Sequence, residues 1–125
     1  MNLLLDTHVL LWWLGDYASL SDKARTSISD GTNSVFVSSA VIWEIEIKKA
    51  LGKLVIPSQF RQVLAEQSFE MLPVTVEHAY AVGDLPSYHR DPFDRMLIAQ
   101  ATVEGFTVVT HDRIFERYKI PIIQA

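Results

Sequence analysis

The chain has 125 residues, of which 49% are hydrophobic and none is cysteine. This length supports one sizeable core, so we expect residues 1–125 to form a single domain without disulfides or thiolate metal sites. The net charge of −4 argues against a protein that binds nucleic acid chiefly through a broad basic surface. No apolar run reaches about 18 residues, and the start MNLLLDTHV lacks a basic region and a cleavage site. We therefore expect a cytoplasmic protein without a signal peptide or membrane segment.

In the first half of the chain, short apolar runs alternate with helix-like segments that begin at serine caps and end at glycine. The predicted elements are a strand at Asn2–Leu5, a helix at His8–Leu14 closed by Gly15, a helix from a Ser21 cap to about Ser29, a strand at Val35–Val37, and a helix that begins at the Ser38-Ser39 cap and stops near Gly52.

The second half continues this alternation. The predicted elements are a helix opened by Pro57-Ser58, a strand at Met71–Val74, a helix from a Thr75 cap that ends before Pro86, a helix at Phe93–Glu104 ended by Gly105, a strand at Phe106–Val109, a short helix at Arg113–Tyr118, and an edge strand at Ile122–Ile123. The strand segments are apolar throughout, which is typical of strands buried on both faces of a parallel sheet. We therefore predict an α/β fold, a three-layer α/β/α sandwich around a mostly parallel central sheet.

Four acids are predicted to meet at the carboxyl edge of this sheet, where the loops turn into helix N-termini. Asp6 directly follows the first strand, and Asp112 follows the fourth. Asp94 lies in the first turn of a helix that faces the same edge if its crossover is right-handed. Glu44 emerges from a mostly apolar helical stripe, where a lone carboxylate is costly to desolvate. Because Mg²⁺ and Mn²⁺ prefer such hard oxygen ligands, the four acids together predict a metal site.

Each acid also has a simpler structural interpretation. Asp6 and Asp112 suit helix N-caps, and Asp94 suits the positive end of a helix dipole. Glu44 is spaced to pair with Lys48 one helical turn later. Taken singly, none of the four indicates a metal.

The histidines are weaker candidates. His8, His89 and His111 lie near the predicted site in the sequence, whereas His78 lies far from the acids. Because no HExxH-like pair occurs, we expect each to have a surface or supporting position. Asp91 precedes a proline and is predicted to shape the turn. The three tryptophans are expected in the core or in an interface.

Four sequence motifs follow one another along the chain: LLLDTHVLLWWL, VSSAVIWEIEIKKALGKL, HRDPFDRMLIAQA and VVTHDRIF. Together they resemble the PIN domain family and, more narrowly, the VapC-type toxins of bacterial toxin–antitoxin pairs. The resemblance runs from Asn2 to about Ile123. It implies an α/β/α sheet, Mg²⁺- or Mn²⁺-dependent cleavage of single-stranded RNA, dimerisation, and inhibition by a cognate antitoxin.

By position in these motifs, the resemblance assigns the catalytic and metal-binding roles to Asp6, Glu44, Asp94 and Asp112. A further acid of some relatives is replaced here by Ile114, which leaves one or two metals possible. Basic residues beside the acids are the predicted RNA contacts, although each also suits an ordinary solvated face. These residues are Lys48, Lys49, Arg90, Arg95 and Arg113.

Two other functions stay open on the sequence alone. One is another Mg²⁺-dependent phosphoryl-transfer enzyme, although a haloacid-dehalogenase-like phosphatase needs an acid at the position of His8 and a receiver-like phosphoacceptor wants paired acids after the first strand. The other is a PIN-like module that only binds a partner. The presence of all four acids argues against a degenerate site without demonstrating turnover.

Overall fold

A single five-stranded sheet forms the centre of the fold in a computed structural model that describes residues 1–125. All four pairings between neighbouring strands are parallel, in the order β3-β2-β1-β4-β5. The strands are β1 (Asn2–Leu5), β2 (Ser34–Ser38), β3 (Glu70–Leu72), β4 (Thr107–Thr110) and β5 (Ile122–Gln124).

Six α-helices connect the strands, together with short 3-10 turns at Tyr17–Ser19 and Arg113–Arg117. They are α1 (Thr7–Gly15), α2 (Asp22–Ser29), α3 (Ser39–Ala50), α4 (Phe60–Ala65), α5 (Val76–Gly83) and α6 (Pro92–Glu104). The predicted caps Ser21, Ser38 and Thr75 each accept a backbone N–H at the start of α2, α3 and α5. None of the helices has the length and apolar character needed to cross a membrane. The predicted α/β/α fold is confirmed, with a sheet that is wholly parallel.

The glycines predicted to end α3 and α6 lie where expected, whereas one helix begins later than predicted. Gly52 and Gly105 have positive φ angles just beyond α3 and α6, a conformation that favours glycine. The prediction that a helix opens at Pro57-Ser58 is wrong by about one turn. The Pro57 carbonyl accepts the Phe60 N–H in a turn, so helical hydrogen bonding begins only where Val63 donates to the Gln59 carbonyl.

The order of the strands places a crevice beside β1. From β1 the chain adds β2 and β3 on one side, then crosses back to add β4 and β5 on the other. Open parallel sheets bind ligands at such a reversal, beyond the carboxyl ends of the strands. Leu3, Leu4 and Leu5 of β1 are fully buried, so the residues that follow this strand are held by the centre of the core.

Candidate metal centre

An acidic cavity of about 410 Å³ opens at the carboxyl ends of β1 and β4. All four acids predicted from the sequence line it, although they come from four different parts of the chain. The lining residues are Asp6, Thr7, His8, Trp12, Glu44, Lys48, Asp91, Asp94, His111 and Asp112.

Asp6 is a helix cap and a cavity residue at the same time. Its Oδ1 accepts the Val9 N–H at 2.8 Å, which caps α1, and its Oδ2 accepts the Thr110 hydroxyl from the end of β4. The side chain is buried, and this burial raises the pKa of Asp6 although both hydrogen bonds act in the opposite direction. The interpretation as a cap is therefore correct without excluding a role in the cavity.

Glu44 is buried in α3 and both of its oxygens have partners. Oε1 accepts the Thr7 hydroxyl at 2.5 Å, and Oε2 pairs with the Lys48 ammonium one helical turn later. The predicted pair with Lys48 is confirmed, and the hydrogen bond to Glu44 raises the pKa of Lys48. These two contacts fix the orientation of a carboxylate that would be costly to bury alone.

Asp94 is partly buried among other charged side chains. Its backbone N–H donates to the side chain of Asp91, which caps α6. Burial, followed by the nearby Asp91 carboxylate, raises the pKa of Asp94 to about 7, while His89 acts in the opposite direction. Asp6 and Glu44 add to the rise, so these carboxylates share one electrostatic environment. A cation in the cavity would relieve this repulsion.

His89 contacts two acids of the predicted site, a supporting position of the kind expected from the sequence, although its two partners were not predicted. Its Nε2 lies 2.8 Å from Oδ2 of Asp94 and 3.1 Å from Oδ2 of Asp112. One donor atom from each of these three residues lies within 4.8 Å of the others. The available signal was its position two residues before Asp91 in the HRDPFD segment.

The donor chemistry of the cavity fits a hard divalent cation. Carboxylate oxygens dominate its lining, and Lys48 is the cationic side chain that partly balances them. A proton retained on Asp94 near neutral pH is the expected behaviour of crowded carboxylates without a metal. Mg²⁺ and Mn²⁺ accept such oxygens and keep several waters. Asp6, Glu44, Asp94 and Asp112 are therefore suited to hold either ion.

Arg95 points away from the predicted RNA contacts. Its guanidinium donates to four backbone carbonyls, one in the last turn of α5 and three in the loop after it, so its hydrogen-bonding capacity serves the fold. The acceptors are Val82, Leu85, Pro86 and His89, at 3.0 to 3.4 Å. Arg95 thus fastens the segment that carries His89 to α6.

The other basic residues differ in availability. Lys48 lines the cavity, and Lys49 pairs with Glu46 at 3.4 Å on the exposed surface of α3. Arg90 and Arg113 are exposed, as is Lys49. Of the five predicted contacts, these three are accessible to a ligand.

Aromatic side chains surround the acids. Trp12 lines the cavity between His8 and His111, with ring centroids 6.0 and 5.4 Å away, while its other contacts join the core. Trp43 is 63% exposed on α3, which suits the predicted interface position. His78 lies outside this cavity, as its distance from the acids in the sequence predicted, but it is fully buried, so the expectation of a surface or supporting position is wrong for this residue.

Similarity to known proteins identifies the family to which this chain belongs. A family model described as the PIN domain matches residues 3–121. This chain belongs to the PIN domain family. Within that family, the chain is 30% identical to Ribonuclease VapC22 of Mycobacterium tuberculosis (strain ATCC 25618 / H37Rv) over 131 residues, a match that covers 96% of this chain and 94% of the relative. The predicted VapC-type membership is confirmed, and the haloacid-dehalogenase-like and receiver-like interpretations are excluded.

Solved structures share the PIN fold across nearly the whole chain. VapBC2 from Rickettsia felis, bound to a DNA fragment from its promoter, gives a TM-score of 0.76 at 17% identity and covers 99% of this chain and 98% of that chain. DNA-bound VapBC from Salmonella typhimurium gives 0.75 at 21% identity with the same coverage of each. VapBC-5 of Mycobacterium tuberculosis, a member of the VapBC family of toxin–antitoxin systems, gives 0.63 at 20% identity, covering 99% and 98%.

Proposed function

We propose that this PIN domain, treated as one unit of residues 1–125, is an endoribonuclease that uses Mg²⁺ or Mn²⁺ to cleave single-stranded regions of RNA. The observation that carries this proposal is the convergence of Asp6, Glu44, Asp94 and Asp112 on one cavity. The name of the relative Ribonuclease VapC22 supports RNA as the substrate. We place the activity in the cytoplasm, since a chain without cysteine suits a reducing compartment.

In this proposal three aspartates hold the cation directly or through water. Asp6 and Asp112 are fixed by the ends of β1 and β4, and Asp94 is fixed by the first turn of α6. A bound divalent cation lowers the pKa of water and offsets charge that develops on phosphate oxygens. The chain contributes oxygen donors whose spacing is set by the parallel sheet.

Glu44 has a second role open to it in the same cavity. Because Thr7 and Lys48 fix its two oxygens, the carboxylate is oriented and cannot rotate freely. It either completes the shell of the cation or accepts at Oε2 the proton of the attacking water. The products of in-line attack by water are a 3′-hydroxyl and a 5′-phosphate. A 2′,3′-cyclic phosphate would contradict this mechanism, because it forms when the RNA 2′-hydroxyl attacks.

RNA contacts are proposed for the basic residues that are not committed to the fold. Arg90 and Arg113 are exposed, and Lys48 and Lys49 lie on the same helix as Glu44. The net charge of −4 argues against binding through a broad basic surface. We propose that a few phosphate contacts beside a cation orient a single strand of RNA. Arg95 is left out, because its donors are occupied by carbonyl oxygens.

The decisive experiment is cleavage of an end-labelled total-RNA pool by the wild type and by Asp6→Asn, each with Mg²⁺ and with EDTA. Asparagine keeps the shape of the side chain and the capping oxygen for Val9, while it removes the charge and replaces the oxygen that accepts the Thr110 hydroxyl with an amide group. We expect one discrete set of fragments from the wild type with metal alone. Equal fragments from both proteins would show a contaminating nuclease and contradict the proposal.

We further propose that the chain is the toxin of a toxin–antitoxin pair, inhibited by a cognate antitoxin, and that it forms a homodimer. The VapBC structures that share its fold support the antitoxin. An exposed apolar face supports association, since Trp43 packs edge-on against Phe93 beside a cavity of about 770 Å³. Sedimentation velocity of the purified chain measures the dimer, and a monomer at all concentrations would contradict it.

A further inference from the structure

His89 lies behind the acidic cavity, in contact with two of its carboxylates. Its Nε2 is 2.8 Å from Oδ2 of Asp94 and 3.1 Å from Oδ2 of Asp112. Both acids line the cavity, whereas His89 does not and its side chain is 10% exposed. The imidazole therefore contacts the acids from outside the lining of the cavity.

The hydrogen bonds of the ring assign its tautomer. Nδ1 accepts the backbone N–H of Asp91 at 3.4 Å, which places the ring proton of neutral His89 on Nε2. This one Nε2–H donates to Oδ2 of Asp112 at 3.1 Å, and Oδ2 of Asp94 lies within ion-pair distance of the same nitrogen at 2.8 Å. A single ring nitrogen thus contacts one carboxylate from α6 and one from the segment that follows β4.

Several contacts hold the imidazole in this orientation. The backbone N–H of His89 donates to the hydroxyl of Tyr118 at 2.9 Å, and that hydroxyl donates to the Pro86 carbonyl at 2.7 Å. The ring packs edge-on against Phe115 with centroids 5.9 Å apart. Arg95 donates to the His89 carbonyl at 3.2 Å. Neighbours from α6 and from the Arg113–Arg117 turn thus fix the ring on two sides.

We propose that His89 is a positioning residue of the metal centre, which holds Asp94 and Asp112 together through Nε2–H and presents their remaining lone pairs to the cavity. This inference rests on the proposed metal-dependent function. A carboxylate oxygen has two lone pairs, so a hydrogen bond from behind leaves capacity for a cation in front. Partners of metal-binding groups orient them in this way, and their removal typically costs about 10- to 100-fold in metal affinity or activity.

Direct ligation by His89 is the competing arrangement, and Mn²⁺ distinguishes the two. Nitrogen bound to Mn²⁺ gives a strong ¹⁴N coupling in pulsed electron paramagnetic resonance, whereas an imidazole behind the carboxylates does not. We expect the wild-type Mn²⁺ complex to lack the coupling of a coordinated nitrogen. Its detection, and its loss in His89→Ala, would overturn the positioning role.

Mn²⁺ titration and cleavage kinetics test the same inference by substitution. We expect His89→Ala to weaken Mn²⁺ binding about 10- to 100-fold and to lower kcat, with KM for RNA changed less than about twofold. We expect His89→Gln to recover much of both losses, because its amide N–H reaches toward the same two oxygens. Wild-type Mn²⁺ affinity in His89→Ala, or no advantage of glutamine over alanine, would contradict the inference.

A control separates positioning from loss of stability. Asn33 lies at the opposite edge of the sheet, where its side chain accepts from the Met1 amino group and donates to the Ser27 carbonyl, both at 2.9 Å. Asn33→Ala should lower the melting temperature and leave Mn²⁺ affinity unchanged. Asp6→Asn distinguishes the two proposals. Retained Mn²⁺ binding and cleavage in that variant would refute the metal-dependent function itself, whereas their loss, with His89→Ala behaving as wild type, would refute the role of His89 alone.

Discussion

Two histidines in this molecule are held in the same way and face different surroundings. Nδ1 of His78 accepts the backbone N–H of Thr75 at 3.0 Å, and Nδ1 of His89 accepts that of Asp91. In both cases Nε2 faces carboxylate. For His78 it is the single, partly exposed Glu104 at 3.1 Å, and for His89 it is the pair of acids at the cavity.

The difference shows that the surroundings of Nε2, and not the fixing of the ring, decide what such a histidine does. His78 is fully buried between α5 and α6, and its hydrogen bonds join a helix start to a helix end. His89 contacts two carboxylates that line the acidic cavity, so the same local geometry acts at the proposed metal site.

Neutralising the carboxylate partner of each histidine should give the largest contrast. We expect Asp94→Asn to lower the rate of RNA cleavage about 10²- to 10⁴-fold, because charge stabilisation by a bound metal is worth several kcal/mol. Glu104→Gln is the matched change at His78 and should leave the rate within about twofold. Single-turnover cleavage measures both. Equal losses would mean that the acid beside His89 has no special role.

Removing the imidazole of His78 should affect folding and not chemistry. We expect His78→Ala to lower the free energy of unfolding by about 2 to 3 kcal/mol, because it leaves a cavity where a fully buried side chain stood and removes the hydrogen bonds of the ring to Thr75, Gln100 and Glu104. Urea unfolding measures the loss, and Mn²⁺ titration of the folded variant checks that affinity is unchanged. Weaker Mn²⁺ binding by the folded variant would remove the contrast with His89.

The pH dependence of stability should show a smaller effect of the acids beside His89. Between pH 3.8 and about 7 the folded, metal-free chain keeps on Asp94 a proton that the unfolded chain releases. The free energy of unfolding should therefore fall as pH rises through this window, and the raised pKa of Asp6 acts in the same direction. We expect a fall of at least about 1 kcal/mol between pH 5 and 8.

Urea unfolding at pH 5, 6, 7 and 8, with and without Mg²⁺, measures this effect. Saturating Mg²⁺ should stabilise the chain more at pH 8 than at pH 5, since the cation replaces the proton. Asp94→Asn should flatten the metal-free slope. A metal-free stability that rises steadily with pH, or a slope unchanged in Asp94→Asn, would show that the acids are not coupled as the structure indicates.

Two kinds of feature could be predicted from the sequence: helix caps, which depend on neighbouring residues, and the common edge at which parallel strands end. Ser21, Ser38 and Thr75 cap helices because a short polar side chain reaches a backbone N–H two or three residues away. Asp6 and Asp112 meet because parallel strands end at one edge of a sheet. Both rules act within one element or one layer, so they can be read from the chain alone.

The features that sequence did not predict depend on contacts between distant segments. The position of His89 is set by Tyr118, which is 29 residues away in the chain, and by the path of the loop after α5. Arg95 was expected to contact RNA, but its guanidinium donates to four carbonyls at the end of α5 and in that loop. Hydrogen bonds that use backbone N–H or carbonyl groups leave no pattern in side-chain types, so neither contact could be inferred from the sequence.

The position of β1 between β2 and β4 has a consequence for how the protein is made. β1 is made before both of its neighbours and can pair early with β2, but β4 begins only at Thr107. The Thr110 hydroxyl that binds Asp6, and Asp112 itself, belong to the same later segment. A growing chain that has not yet reached this segment therefore carries an incomplete set of acids, and the acidic cavity can form only after the segment has been made.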